Sequence, residues 1–326
     1  MLELRGIAES LGEFRPTGNI RFRGLPPAGI LLTETPMQIF QCTVGRPVSC
    51  QGVGLHSGKP VTLTVHPAPP NHGIRFLRAD LPNRPVIPAL FRNVVDTSLA
   101  TVIGVDGVIV STIEHIMGSF AGLGVDNALV ELSAYEVPIM DGSAGFFTGM
   151  IAEAGISPQK SPRFYFIIEK PISHKEGDRW VTVTPADSFS ISCTIDFTHP
   201  LLGRQNLDLL VTPENFGREI SQARTFGFLQ EIDYLKLFGF AKGGSLENAI
   251  VLDCDSVINA EGLRFPDEFV RHKILDCLGD FSLIGIPILG RVETHKSGHQ
   301  FNHAFLEAFF AAKDSWRTSA LDTAAG

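Results

Sequence analysis

No apolar run in the 326 residues approaches the roughly 18 needed for a membrane-spanning helix. The longest candidate, Phe281 to Leu289, is interrupted by Gly285 and Pro287. Cysteine is scarce: Cys42, Cys50, Cys193, Cys254 and Cys277 are odd in number and irregularly spaced, and no C-x-x-C occurs. That disfavours a disulfide framework and a cysteine zinc site, and it fits the reduced thiols of a cytoplasmic protein. Positive charge is also short, with 27 Lys and Arg against 35 Asp and Glu and a net charge of -8. A general nucleic-acid binder carries a basic surplus, so that class is disfavoured. Any anionic ligand has to be held by a local patch against the global field. The N-terminus lacks a charged segment followed by a long apolar one, which excludes a secretory signal. Glu3, Glu9, Glu13 and Glu34 argue against an organellar transit peptide.

What is present is core-forming material. Hydrophobic residues make up 44% and charged residues 19%, with a mean hydropathy of +0.15, which excludes a mainly disordered chain. The length predicts about two domains. Residues 1–36 show no persistent period, and Pro26-Pro27 breaks any helix there. They read as a weakly structured extension, with Met37 as an alternative start. From Gln38 the pattern turns strand-like. Gln38–Val44 and Val61–Pro67 alternate, with Val61, Leu63 and Val65 on one face. Gly73–Arg78 reads as a strand, and Asp106-Gly107 between 99–103 and 107–110 signals a hairpin.

Helical spacing follows through Ile113, Ile116, Met117 and Phe120, with Ser111 or Thr112 as cap and Gly122–Gly124 as terminator. A strand at 127–132 and a helix at 143–155 close the first half. Ser157–Pro162 reads as the best linker. In the second half, strands are expected at 164–168, 179–184, 190–196, 249–252 and 291–295. Helices are expected at 213–220, 230–238, 266–284 and 302–313. The expected organisation is therefore a first α+β domain over 37–160, a second over 163–313, and a C-terminal tail over 314–326. Both halves run strands and then helices, as a duplication would produce.

Three clusters hold unusual chemistry. Glu114-His115 stands at a helix start, where the imidazole is a good zinc ligand and the neighbouring carboxylate can act as a base without binding the metal. The order is not that of H-E-x-x-H, so taken alone the pair reads more readily as a surface Glu beside a hydrogen-bonded His. In Arg271–Asp280, His272 and Asp276 lie at i and i+4 and can present a nitrogen and an oxygen to one metal. Asp280 continues that face, and a solvated polar stripe is the competing reading. The third cluster, Thr294–His299, reads as a glycine turn. His299 on a loop over a metal could act as a general acid, with Asp280 holding it protonated. One His from the first half with a His and an Asp from the second leave a fourth metal position open, the arrangement of catalytic zinc.

Several ordered segments then fix a resemblance: GVGLHSGKPVTL at 52–63, STIEH at 111–115, AGLGVDNALVE at 121–131, PIMDGSAGF at 138–146, TIDFTHP at 194–200, SQARTFGF at 221–228, GLRFPDEFVRHKILDCLGD at 262–280 and KSGH at 296–299. From about Gln38 to Trp316 the chain resembles the UDP-3-O-(3-hydroxyacyl)-N-acetylglucosamine deacetylases, zinc enzymes of lipid A synthesis in Gram-negative bacteria. The resemblance implies an α+β fold of two layered domains of similar topology, ribosomal protein S5 domain 2-like. Helices would pack between the two sheets, and the active site would lie at the domain seam.

It implies His115, His272 and Asp276 as ligands of Zn²⁺, with Fe²⁺ also compatible with N and O donors. Glu114 would be the general base, and His299, oriented by Asp280, the general acid. Thr225 would polarise the amide carbonyl. Phe226 would pack on the sugar, and Lys273 would reach phosphate or the hydroxyacyl region. Phe197 and Arg179 would meet uracil and diphosphate, with Arg179 standing where the family more often has Lys. Leu99, in the 96–102 insert, and Gly244, in the Gly243-Gly244 turn, would line the substrate site. Leu229, Ile232, Leu235, Phe240 and Val251 would form an apolar tunnel for the acyl tail, or serve as ordinary core. The partner implied is a small UDP-acyl-sugar, with no nucleic acid and no integral membrane association. Rival readings are a zinc hydrolase of another N-acyl sugar, a non-catalytic nucleotide-sugar binder and a structural protein without metal.

Overall fold

The computed structural model describes residues 37–321. The extension expected over 1–36 and the end of the tail lie outside the described residues. Alternation of apolar and polar residues produces two main sheets. Pro60–Pro67 is the clearest case: Val61, Leu63 and Val65 are buried while Thr62 and Thr64 are half-exposed. The first sheet has the order Val48–Val53, Pro60–Pro67, Ala128–Leu132, Ile74–Arg78 and Val86–Pro88.

Five strands of the second sheet follow the same plan: Ile172–Glu176, Arg179–Thr184, Ile288–His295, Phe189–Asp196 and Arg204–Leu210. In each sheet a hairpin comes first. Its second strand pairs antiparallel with the strand that is last in the chain. That last strand runs parallel to the third, which pairs antiparallel with the fourth. Phe164–Ile168 and Trp316–Ala320 widen the second sheet.

Six helices are described: α1 (Glu114–Leu123), α2 (Gly145–Ala154), α3 (Pro213–Asn215), α4 (Leu229–Leu237), α5 (Glu268–Ser282) and α6 (His299–Ala311). None is long and apolar enough to cross a membrane. The expected hairpin is present as Val102–Val105 and Val108–Val110, with Asp106 (φ 50°) and Gly107 (φ 79°) supplying the two left-handed residues a tight hairpin turn needs. Helix α1 stops at Gly124, whose φ of 73° no β-carbon opposes.

Several expectations need correction. Neither Ser111 nor Thr112 caps α1; Ile113 precedes it without a side-chain bond. The Thr112 hydroxyl instead donates to buried Glu136 at 3.2 Å, so it anchors a loop. The 157–162 segment is no linker but part of the strand Ile156–Pro162, paired antiparallel with Phe40–Val44. Its prolines are tolerated because Phe40–Val44 is its one strand partner among the described residues, which leaves its other edge outside any ladder. Residues 316–320, expected in a tail, form a strand because Trp316 stacks on Phe309 at 5.6 Å and its indole N–H donates to the Phe309 carbonyl. The 213–220 helix splits into α3 and a π-helical turn at Phe216–Ile220. Helix α6 begins at His299, three residues before the expected start, because extended Gly298 ends the preceding loop there.

Helices α1 and α5 form the centre of the fold and cross at two glycines. A β-carbon on Gly118 would lie 2.6 Å from the Leu275 side chain, and one on Gly279 would collide with the Glu114 carbonyl oxygen. Only glycine allows the two backbones to approach so closely. Leu275, Leu278 and Phe281 pack into the same core as Ile116, Met117 and Phe120. Gly279→Ala is therefore expected to lower unfolding stability by about 1–3 kcal/mol, although Ala is the better helix former. Gly217→Ala, whose β-carbon meets nothing within 4 Å, serves as control. Equal urea midpoints for the two variants would contradict the packing account.

Candidate active site

The α1–α5 crossing faces the first turn of α1 with two turns of α5. His115 from α1 and His272 and Asp276 from α5 are all buried, and one ligand atom from each lies within 4.8 Å of the others. His272 Nε2 is 3.4 Å and His115 Nε2 3.9 Å from Asp276 Oδ1. Ligand atoms around a tetrahedral zinc ion with bonds of 2.0–2.1 Å stand roughly 3.3 Å apart, so small adjustments seat an ion here. The donor set fits as well. The Ala223 carbonyl accepts a hydrogen bond from His272 Nδ1 at 3.0 Å, which leaves the Nε2 lone pair for the cation. Burial, with the neighbouring His272, holds His115 neutral down to about pH 3. Burial opposes ionisation of Asp276, yet Lys273, His272, His299 and His115 together keep it well below the usual carboxylate range. Lys273 Nζ caps Asp276 Oδ2 at 2.7 Å, on the carboxylate oxygen that does not face the histidines.

Glu114 and His299 flank the triad. Glu114 is raised to about 7, first by burial and then by Asp280 and Asp276, with His299 opposing. Its carboxylate accepts the Thr101 amide at 3.1 Å. His299 Nε2 lies 3.8 Å from Glu114 Oε1, and His299 Nδ1 donates to Asp280 Oδ2 at 2.8 Å. Burial works against charge on His299, but Asp280, Glu114 and Asp276 outweigh it and push the imidazole up to about 10. His299 thus sits at the N-terminus of α6, correcting its expected place on a loop. Two groups escaped sequence reasoning. The Thr101 hydroxyl donates to Asp280 Oδ1 and the Asn302 amide donates to Asp280 Oδ2 at 2.8 Å. Asn302 follows His299 by one turn of α6, and that spacing was the available signal.

The remaining candidates are placed unequally. Phe226 lies 6.3 Å from the His272 ring, and Lys273 Nζ is 5.7 Å from its centroid. Phe197 reaches the cluster through Phe226, at 6.0 Å. Thr225 is half-buried, fixed by its amide to Gly142 and its carbonyl to Ile250. This ARTF loop is clamped by a buried ion pair, Arg224 Nε to Glu268 Oε1 at 2.9 Å. Arg179 is half-exposed, bonded to Glu176 and stacked on Phe301 of α6. Leu99 is exposed two residues before Thr101. Gly244 packs near Leu55 and Ala241.

A mixed α and β scaffold that buries a His₂Asp triad able to hold a cation, beside a carboxylate and an imidazole paired with Asp280, has the parts of a hydrolytic site. The chain belongs to the UDP-3-O-acyl N-acetylglycosamine deacetylase (LpxC) family, whose family model matches residues 41–311. It is 55% identical over 268 residues to the UDP-3-O-acyl-N-acetylglucosamine deacetylase of Myxococcus xanthus, covering 82% of this chain and 85% of that one. It is 47% identical over 279 residues to the same-named protein of Syntrophotalea carbinolica (86% and 90%) and 49% identical over 263 residues to that of Nitratiruptor sp. (81% and 88%).

The His299 environment gives a direct test. Asp280→Asn removes the main charge that keeps the imidazole protonated. The His299 pKa, followed by ring-nitrogen NMR, is expected to fall by about 1–3 units. An unchanged titration would show that Asp280 does not control it.

Proposed function

We propose that this chain hydrolyses the N-acetyl group of UDP-3-O-(3-hydroxyacyl)-N-acetylglucosamine and releases acetate, the committed step of lipid A biosynthesis. Family membership supports the reaction. The observation that carries it is the joining of His115, His272 and Asp276 with Glu114, Asp280 and His299 in one buried cluster. We assign Zn²⁺ to the triad, with Fe²⁺ served by the same donors. When bound, the ion supplies Lewis acidity to the amide oxygen and acidifies water.

The rest falls to side chains. Glu114 accepts the proton of the attacking water, a task suited to a carboxylate raised towards neutrality. His299, kept protonated by Asp280, donates to the departing sugar nitrogen. Thr225 polarises the amide carbonyl. Phe226 packs on the sugar, and Lys273 exchanges its bond to Asp276 for phosphate or the hydroxyacyl group. Phe197 and Arg179 contact uracil and diphosphate, and Leu99 and Gly244 line the pocket. The acyl tail lies along the α4 region, where Leu229, Ile232 and Leu235 are half-buried and Phe240 is exposed, while Val251 is core. Burying each methylene there is worth about 0.8 kcal/mol. We also infer two α+β domains, 37–160 and 163–313, of ribosomal protein S5 domain 2-like topology with the site at their seam; the shared strand order of the two sheets supports this.

Metal-loaded protein is expected to release acetate from the UDP-acyl-sugar, and chelated protein is not. Glu114→Ala should lose about 10²–10⁴ in turnover while retaining its metal. The pH profile should be bell-shaped. Below its raised pKa Glu114 is protonated and cannot accept a proton, so the rate climbs with pH through that value. Above its own raised pKa His299 has no proton to give, so the rate falls. Near-normal activity in Glu114→Ala would remove the assigned base.

A further inference from the structure

A cavity of about 470 Å³ lies on the other side of the helix pair from the triad. Met117 and Leu278 line it, and each follows a triad residue, His115 or Asp276, by two positions. Two residues turn a helix by about 200°, so the cavity opens on the opposite face. Phe120 and Phe281 add apolar wall from the two helices, and Ile74 and Ile288 add it from the two sheets. The size is that of a small-molecule site.

Its charge is unusual for a chain of net charge -8. Arg75, Arg92 and Arg163 line it against a single carboxylate, Asp126. Arg163 is committed to Asp126 at 2.8 Å. Arg75 gives its Nε to the His72 carbonyl at 2.9 Å. Among the described residues neither Arg75 nor Arg92 has a carboxylate partner. Two guanidinium groups with no carboxylate partner among the described residues, beside an apolar hollow, call for a ligand with one anionic end and one apolar end.

We propose that this cavity is a second ligand site, separate from the triad, for a long acyl chain ending in an anionic head. The tail lies against Met117, Phe120 and Phe281, and the head meets Arg75 and Arg92. The arginines offer paired N–H donors to a carboxylate or a phosphate, and the apolar wall supplies most of the binding free energy.

The test uses the full metal-loaded chain with ¹³C-labelled Met and Ile methyl groups, titrated separately with dodecanoate, dodecyl phosphate and dodecan-1-ol. Dodecanoate or dodecyl phosphate is expected to shift the Met117 and Ile74 methyl signals saturably, and the tighter of the two identifies the head group. The alcohol should bind at least tenfold more weakly. Arg75→Ala combined with Arg92→Ala should weaken anion binding at least tenfold, and Ala121→Phe should fill the cavity and abolish the shifts. Both variants should keep wild-type acetate release, which separates this site from the catalytic one. Shifts confined to other regions, or anion binding that survives the double arginine substitution, would overturn the proposal.

Discussion

The close crossing of α1 and α5 is the constraint on which the site depends. Gly118 and Gly279 let two backbones meet where any side chain would hold them apart. That approach brings His115, from the first half of the chain, to His272 and Asp276, from the second. Neither helix alone can hold an ion, since α5 offers two donors and α1 one. The site is therefore a product of tertiary packing, and its precision is inherited from a core that contains Leu275, Leu278, Ile116 and Phe120.

The second requirement is electrostatic. Glu114, Asp276 and Asp280 share one buried volume with three histidines and Lys273. The environment sorts them into different states. Asp276 stays ionised because Lys273 and the imidazoles surround it. Glu114 is raised towards neutrality because burial dominates there. His115 is held neutral, while His299, on Asp280, is held charged. Pushing pKa values apart among close neighbours gives them the different protonation states that the proposed ligand, base and acid roles require. Thr101 and Asn302 hold Asp280 in place, so the proton on His299 depends on residues from three distant parts of the sequence.

Much of this was legible in the residues. The i, i+4 spacing of His272 and Asp276, the Glu114-His115 pair and the KSGH segment all pointed to groups that the fold gathers into one buried cluster. The alternation at 61–67 and the Asp106-Gly107 turn placed their strands. What escaped was tertiary in origin. Ile156–Pro162 looks like a linker because of its prolines, and becomes a strand only because Phe40–Val44 lies beside it. Trp316–Ala320 is fixed by a stack on Phe309, which no local pattern announces. Thr112 has the chemistry of a cap, but Glu136, distant in sequence, claims its hydroxyl. Thr101 carries no motif of its own, and its role appears only when Asp280 folds against it.

The most direct measurement is anomalous diffraction at the zinc edge from crystals of the metal-loaded protein. A single strong peak is expected at about 2.0–2.2 Å from Nε2 of His115, Nε2 of His272 and Oδ1 of Asp276, with Glu114 outside bonding distance. A peak elsewhere, or one bound by Glu114 in place of Asp276, would contradict the account.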